Sequence, residues 1–514
     1  MSNVNKWIIA LSVLLPTLLE IIDTSVVNVS LDHIRGSLSA GLDEATWAIT
    51  AYLVSNAIII PLTGWMGRLF GRKRYLIASV VLFTVSSFLC GSSRTMSALI
   101  FFRVLQGIGG GALQPISQAI LLESFPPAQY GIAMAMFGVG IMFGPIVGPV
   151  LGGWITDNWS WPWIFYINIP IGIISVMLLM KNIKDPDFLK RVDIRQKIDL
   201  WGISLIVLGV GALQIVLDKG QREDWFNSPF ITRLAIISAV SLISFVIIEL
   251  KRHDPILNLR EFRDKSFSSA NIIQFATFFV LFGSIVLLPL FVQTLMGYTA
   301  FLAGLVLAPG GVATLIVMPI VGKMVTKVNP KAILFTGLLT VAYSTYTMIH
   351  FNLYVEMSAI IWSRVLMGFG MGMVFVPLTA LAFSTIKKEE MGNATSIFSI
   401  LRNIAGSFGI AFMTTVLARR AQFHQARFSE NLNPFNPAYQ MGVHKAMNVI
   451  AVKTAHASVP GANAVIYKQL MQQSNLYAFL DAFYIATVIL LCVMPLILLL
   501  KRPKQSDLST SAMH

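Results

Sequence analysis

With 55% hydrophobic and only 12% charged residues among 514, the chain lies outside the range of soluble domains, which are roughly 45–50% apolar and about 25% charged. A net charge of +14, from 38 Lys and Arg against 24 Asp and Glu, raises the question of a nucleic-acid partner, which the placement of those cations excludes below. Cys90 and Cys492 both fall inside apolar runs, so neither a disulfide framework nor a Cys-rich metal site is available.

The first apolar run, 7–29, follows only MSNVNK, exceeds the length of a signal-peptide core and lacks a small-residue cleavage site, so it is expected to be a retained span. It carries Glu20 and Asp23, three apart and on one helix face. Spans follow at 46–68, 75–92, 97–123, 130–156 and 163–180, the fourth bearing Arg103. Ionisable groups inside spans cost about 2.5–3.5 kcal/mol each on insertion scales and are functional hypotheses by default. At about 1.5 Å per residue, Asp23 lies roughly 24 Å into its span and Arg103 about 9 Å from the far end of its own. In a hydrocarbon core of roughly 30 Å those depths nearly coincide, which predicts contact. The functional reading is that Glu20 or Asp23 loads and releases a proton as its surroundings alternate between a desolvated site and an arginine's neighbourhood. The alternative is a static ion pair locking two helices.

Along the fifth span, Gly140, Gly144, Gly148 and Gly152 form a small-residue stripe open to close helix approach, and Pro145 and Pro149 add kinks. Gly107, Gly109 and Ala112 fit a dinucleotide fingerprint only by spacing, since no strand precedes them. A phosphate-binding G-x-x-x-x-G-K-[ST] loop is absent, so ATP drive by this chain is not expected.

Apolar runs at 199–217, 231–249, 267–292, 300–322, 331–350, 357–383, 393–417 and 477–500 bring the expected total to fourteen. Arg364 in the twelfth and Arg402 in the thirteenth are at least as well explained by bracing the second half as by coupling. All seven histidines fall in loops, at a span end or at a terminus, which leaves no intramembrane His relay, haem ligand or metal site. With a cytoplasmic N-terminus, the inward segments hold 24 Lys and Arg and the short outward loops five. That bias places both termini in the cytoplasm and makes the basic balance a topology signal, with no nucleic-acid partner. The stretch 418–476, polar and containing NPFNP at 433–437, is expected to be a long external loop with helical segments near 442–457 and 461–476.

RVLQGIGGG at 103–111 aligns with RVLMGFGMG at 364–372 in six of nine positions, and PLTGWMG at 61–67 with PIVGKMV at 319–325 through Pro, Gly and Met. Offsets of about 260 residues read as an internal repeat. The expected architecture is an all-α membrane protein in a 6+2+6 arrangement: a six-helix half at 1–184, an inserted pair with its linkers at 185–265, and a second half at 266–514. Two facing halves form a transporter plan. A membrane-embedded transferase would instead need acids, His or Ser clustered at one interface. Within transport, an importer of a specific metabolite is the rival.

These motifs resemble the fourteen-span drug:proton antiporter branch of the major facilitator superfamily, most closely its EmrB-type members, over essentially the whole chain. LEIIDTSVVNVSL at 19–31 resembles the branch's first-span motif, which implies proton coupling at Asp23. GWMGRLFGRKR at 64–74 resembles the gating loop through Gly64, Gly71 and Arg72, FFRVLQGIGGG at 101–111 the arginine motif, and GPIVGPVLGG at 144–153 the antiporter motif. LDKGQREDWF at 217–226 and NPFNP are more specific to the EmrB type. Arg68 stands where the gating loop usually has an aspartate, so that residue's contact is not carried over. The resemblance implies a bacterial inner-membrane exporter of amphiphilic molecules, driven by a proton gradient without a cofactor. It also implies a periplasmic membrane-fusion adaptor and an outer-membrane channel as partners.

Overall fold

The computed structural model describes residues 5–186, 199–252, 255–454 and 459–501. The cations at 190–197 and 502–504 and the histidines at 253, 456 and 514 lie outside them. Within the described residues every regular element is a helix, as hydrocarbon demands of a spanning chain, because a helix satisfies its backbone groups internally. The stretch expected from the sequence to be the first half, 1–184, holds α1 (Lys6–Ser37), α2 (Leu42–Ile59), α3 (Thr63–Phe70), α4 (Arg72–Gly91), α5 (Met96–Gly110), α6 (Leu113–Ser124), α7 (Tyr130–Asn158), α8 (Trp163–Tyr166) and α9 (Asn168–Asn182). Then come α10 (Leu200–Lys219) and α11 (Pro229–Lys251). The rest is α12 (Lys265–Thr294), α13 (Ala300–Met324), α14 (Pro330–Met348), α15 (Met357–Phe383), α16 (Met391–Ser429), α17 (Pro437–Thr454) and α18 (Val459–Val493).

Among the described residues, 13 helical stretches are long and apolar enough to cross a bilayer. α14 occupies the expected span at 331–350 without meeting that measure, because Thr336, Thr340, Ser344, Thr345 and Thr347 dilute it. The second expected span is broken between α2 and α3 by a 3-10 turn holding Pro61, whose ring removes a helical donor. The fourth breaks between α5 and α6, where a methyl group on Gly111 would lie 2.6 Å from the Asn56 carbonyl oxygen. Glycine is what lets α2 lie there.

α1 runs along α7 on the glycine stripe. A methyl group at Gly144 would sit 2.2 Å from Ile21 Cγ2, at Gly148 2.4 Å from Ser25 Cβ, and at Gly152 3.0 Å from the Val26 carbonyl oxygen. At Gly140 the nearest atom, Leu14 Cδ2, is 3.6 Å away. α7 stays helical through Pro145 and Pro149.

The two halves meet through repeat-related glycines. Gly64 on α3 packs on Gly392 and Asn393 of α16, and Gly322 on α13 packs on Gly131 and Ala135 of α7. Both contacts lie on the side carrying the chain's start and the 68–74 loop, called the basic side here. Thr63 and Ser396 close the same seam with a buried 2.7 Å hydroxyl contact.

The helical segments expected near 442–457 and 461–476 are there as α17 and the start of α18; what the structure corrects in 418–476 is how far the flanking span helices run into it. α16 continues to Ser429 over 39 residues, a length of about 58 Å that overshoots the bilayer. α18 begins at Val459 and runs unbroken into the last span. Leaving 455–458 aside, the non-helical connection is 430–436. The overhanging ends hold each other. Arg420 Nε and His424 Nε2 lie 2.5 and 2.7 Å from Asp481 Oδ2, and Phe428 stacks edge-on to Tyr477 at 5.5 Å. Hydropathy marks where a helix leaves the membrane, not where it ends. The placement of histidines is corrected too: His33, His424 and His444 lie within helices.

Gly148→Ala should destabilise the purified protein by about 1–3 kcal/mol, as overpacking does, whereas Gly140→Ala should be near neutral. Thermal unfolding followed in one detergent measures both, and equal losses would mean that the stripe is not the α1–α7 contact.

Candidate functional site

Three buried polar side chains of the first half converge on Asp23, which is fully buried, and Arg103 among them is 1% exposed. Arg103 Nη1 donates to Asp23 Oδ2 at 2.7 Å. Gln106 Nε2 and Asn168 Nδ2 donate to Asp23 Oδ1 at 2.8 and 2.7 Å. The three donors come from two helices. Arg103 and Gln106 are three apart on α5 and share a face, while Asn168 opens α9 after the short α8 has turned the chain. Arg103 Nη1 also donates to Gln106 Oε1 at 2.7 Å and its Nε to the Ala48 carbonyl at 3.2 Å, and its guanidinium lies 4.1 Å from the Tyr52 ring. A buried ion pair recovers its desolvation cost only with such additional hydrogen bonds.

Glu20, 6% exposed, points instead toward the seam between the halves. Asn56 Nδ2 donates to its Oε1 at 3.0 Å, and its Oε2 receives no hydrogen bond. Gln114 of α6 and Arg402 of α16 are its next polar neighbours. Arg402 Nη2 donates to Gln114 Oε1, so a polar chain runs from Asn56 through Glu20 and Gln114 to the second half. Arg402 thus belongs to the same site as Glu20.

Arg364 repeats Arg103 without its acid. Positions 261 residues beyond Asp23, Arg103 and Gln106 hold Ser284, Arg364 and Met367, and Arg364 Nη1 reaches Ser284 Oγ at 3.0 Å and Met367 Sδ at 2.8 Å. Among the described residues no carboxylate pairs with Arg364. The repeat kept the cation and replaced the carboxylate by a hydroxyl.

In the 64–74 stretch, Gly71 has φ of 85°, open to glycine at little cost, and a methyl group there would lie 2.7 Å from Asp185 Oδ2. Asp185 Oδ1 accepts from the Lys73 backbone N–H at 2.8 Å. Buried Arg72 pairs with Glu123 of α6. Arg68 Nη2 donates to the Pro255 carbonyl oxygen at 3.1 Å. The structure brings together Asp23 with Arg103, and Glu20 with Arg402, and leaves the 64–74 stretch and the α7 stripe as separate features. A scan for charged residues in spans overlooks Gln106, Gln114, Asn56 and Asn168, because neutral amides carry no such signal. It also passed over Glu123 and Asp481, both inside expected spans. Among the described residues no His, Cys, Asp and Glu group could hold a metal ion.

A profile of the Major Facilitator Superfamily matches residues 13–410. The chain is 34% identical over 505 residues to the fatty acid resistance protein FarB of Neisseria gonorrhoeae, with 97% of each chain covered. It is 34% identical over 497 residues to the multidrug export protein EmrB of Escherichia coli strain K12, covering 96% of this chain and 95% of that one. Its fold resembles that of the human organic anion transporter MFSD10, at TM-score 0.60 and 12% identity over 95% of this chain and 100% of the other. It also resembles that of the proton:xylose symporter XylE, at 0.59 and 14% identity over 94% of each.

The 2.7 Å contact makes Asp23 and Arg103 energetically coupled. In Asp23→Asn, Arg103→Ala and their double mutant, the double loss of thermal stability should fall short of the summed single losses by more than about 0.5 kcal/mol, the scatter expected of independent sites. Additivity within that scatter would remove the pair from the site.

Proposed function

The chain belongs to the Major Facilitator Superfamily of transporters, and from that premise we propose that it is a proton-driven multidrug exporter of amphiphilic small molecules working by alternating access. The observation that carries the export reading is the end-to-end relationship to proteins named for multidrug export and fatty acid resistance. Proton drive is supported by two carboxylates buried in one half of a duplicated fold, with none at the equivalent Ser284 and Leu281 of the other.

In this reading the two acids divide the labour. Asp23, held by three donors, keeps Arg103 in place. Glu20, with Asn56 and Gln114 as its neutral neighbours and a cation across the seam, is the group best placed to exchange a proton as the halves move. Arg402 and Gln114 tie that exchange to the second half. Arg364, on neutral partners, braces its own half. The stripe on α7 gives α1 a surface on which to shift, and the closed seam at Gly64, Thr63 and Ser396 must part for the basic side to open. Fourteen spans in a 6+2+6 order follow if α14 crosses with the others. The three parts are then 1–184, 185–265 and 266–514, in a bacterial cytoplasmic membrane with both termini inside. The overhanging ends of α16 and α18, with α17, then face outward, where a periplasmic adaptor leading to an outer-membrane channel would meet them. The proton gradient replaces any cofactor.

Reconstituted in liposomes under an imposed proton gradient, the protein should move a panel of amphiphilic dyes against their gradients and alkalinise or acidify the lumen in step. Glu20→Gln should abolish dye-linked proton movement while sparing expression, and Asp23→Asn, which removes the counter-charge that holds Arg103, should weaken it at least severalfold. Coupling as strong as wild type in both variants contradicts the assignment. A cysteine at Asn436 should react with an impermeant maleimide from outside once any outer membrane is permeabilised; labelling only after the inner membrane is broken inverts the topology.

A further inference from the structure

The transport reading leaves unexplained why the segment after the inserted pair is built so tightly into the seam. Residues 255–263 leave α11 and lie against both halves on the basic side. From the first half, Arg68 donates to the Pro255 carbonyl oxygen at 3.1 Å. On the second half the segment grips Asn393, the third residue of α16, which itself packs on Gly64. The Asn258 backbone N–H donates to Asn393 Oδ1 at 2.9 Å, and Asn393 Nδ2 donates to Glu261 Oε1 at 2.6 Å and to the Asn258 carbonyl at 3.3 Å.

The segment is braced from behind. Arg260 Nη2 donates to the Leu250 and Arg252 carbonyls at 3.2 and 2.9 Å, and the Leu257 N–H to Glu249 Oε2 at 3.4 Å. Arg252 in turn pairs with Asp199 at the start of α10 at 2.8 Å. A stretch so held moves with α10 and α11.

We propose that residues 255–263 are a strap by which the inserted pair holds the two halves shut on the basic side, with Glu261, docked on Asn393, as the positioning residue that sets how firmly it holds. The inference rests on the alternating-access reading, but not on cargo or on proton drive.

Glu261 is 7% exposed, and its Oε2 receives no hydrogen bond. Burial lifts its carboxyl from the ordinary 4.5 to about 8, against the hydrogen bond from Asn393 and the charge of Arg68, while Glu390 pushes the same way as burial. Docked, the group keeps its proton up to pH about 8; released into water, it ionises near 4.5. Docking therefore takes up a proton between those values. The docked form is favoured most at the acid end, loses ground as pH rises through the window, and is indifferent to pH above about 8.

The test uses the full chain in liposomes, with Cys492→Ser and spin labels on Arg74→Cys and Thr326→Cys, exposed positions of the two halves on the basic side; native Cys90 is buried. Distances between the labels report the closed fraction without cargo. Raising pH from 5 to 8 should lower the closed-to-open ratio, with a limiting slope of about tenfold per unit for one proton. Glu261→Gln, which keeps shape and acceptor but cannot ionise, should stay closed and flat across the range, and Asn393→Ala should be more open than wild type at every pH. If wild type and Glu261→Gln shift together, or neither shifts, the strap assignment is wrong. Distances that follow pH through Glu261 in a protein that exports no dye would overturn the export reading and leave the strap standing.

Discussion

Hydrocarbon offers no hydrogen bonds, and nearly everything in this molecule answers to that constraint. Among the described residues every regular element is a helix, because a helix satisfies its own amides. Side-chain charge is confined to a few places where the chain supplies partners in return. Asp23 is the clearest case: a carboxylate without exposed surface, surrounded by a guanidinium and two amides from two other helices. Removing any of those donors strands charge or dipole in a low-dielectric interior, where an unsatisfied group is expensive.

The duplication shows what the constraint permits to vary. Both halves place an arginine at the same point of the same helix, and both use a glycine to bring a neighbouring half within backbone distance. The chemistry around the arginine differs. Ser284 and Met367 give Arg364 only neutral partners and leave its Nε without one, whereas Asp23 gives Arg103 a counter-charge and Gln106 a further acceptor. A fold of two similar halves thereby becomes a device with carboxylates on one side of its seam, and Arg402 reaching Gln114 is where the second half touches them.

The inserted pair is more than a spacer between the halves. At one end the segment after it meets Arg68 and Asn393; farther along, Gln214 of α10 exchanges hydrogen bonds with Ser407 of α16 at 2.9 and 3.1 Å. Thr50 of α2 donates a hydrogen bond to Asp218 of α10. α10 is thus anchored to both halves, so any rocking of one against the other must be transmitted through it or must break those bonds.

Hydropathy, charge placement and repetition are local or periodic properties, and they were enough to read from the sequence an all-helical membrane chain, its internal repeat and the rare charges within its spans. Helical rise alone put Asp23 and Arg103 at one depth. Depth does not identify lateral neighbours. That Asn168 and Gln106 complete the cage of Asp23, that Glu20 turns away from it toward Gln114, and that Arg402 belongs with Glu20 rather than with a brace of its own all depend on which helix lies beside which. The overhang of α16 and α18 escaped hydropathy for a related reason. Outside the bilayer a helix need not be apolar, and its persistence is decided by contacts such as His424 with Asp481, made between residues far apart in the chain. Glu261 is the extreme case: in sequence it is one acid in a polar linker, and only the packing of α3, α11 and α16 around it makes it buried.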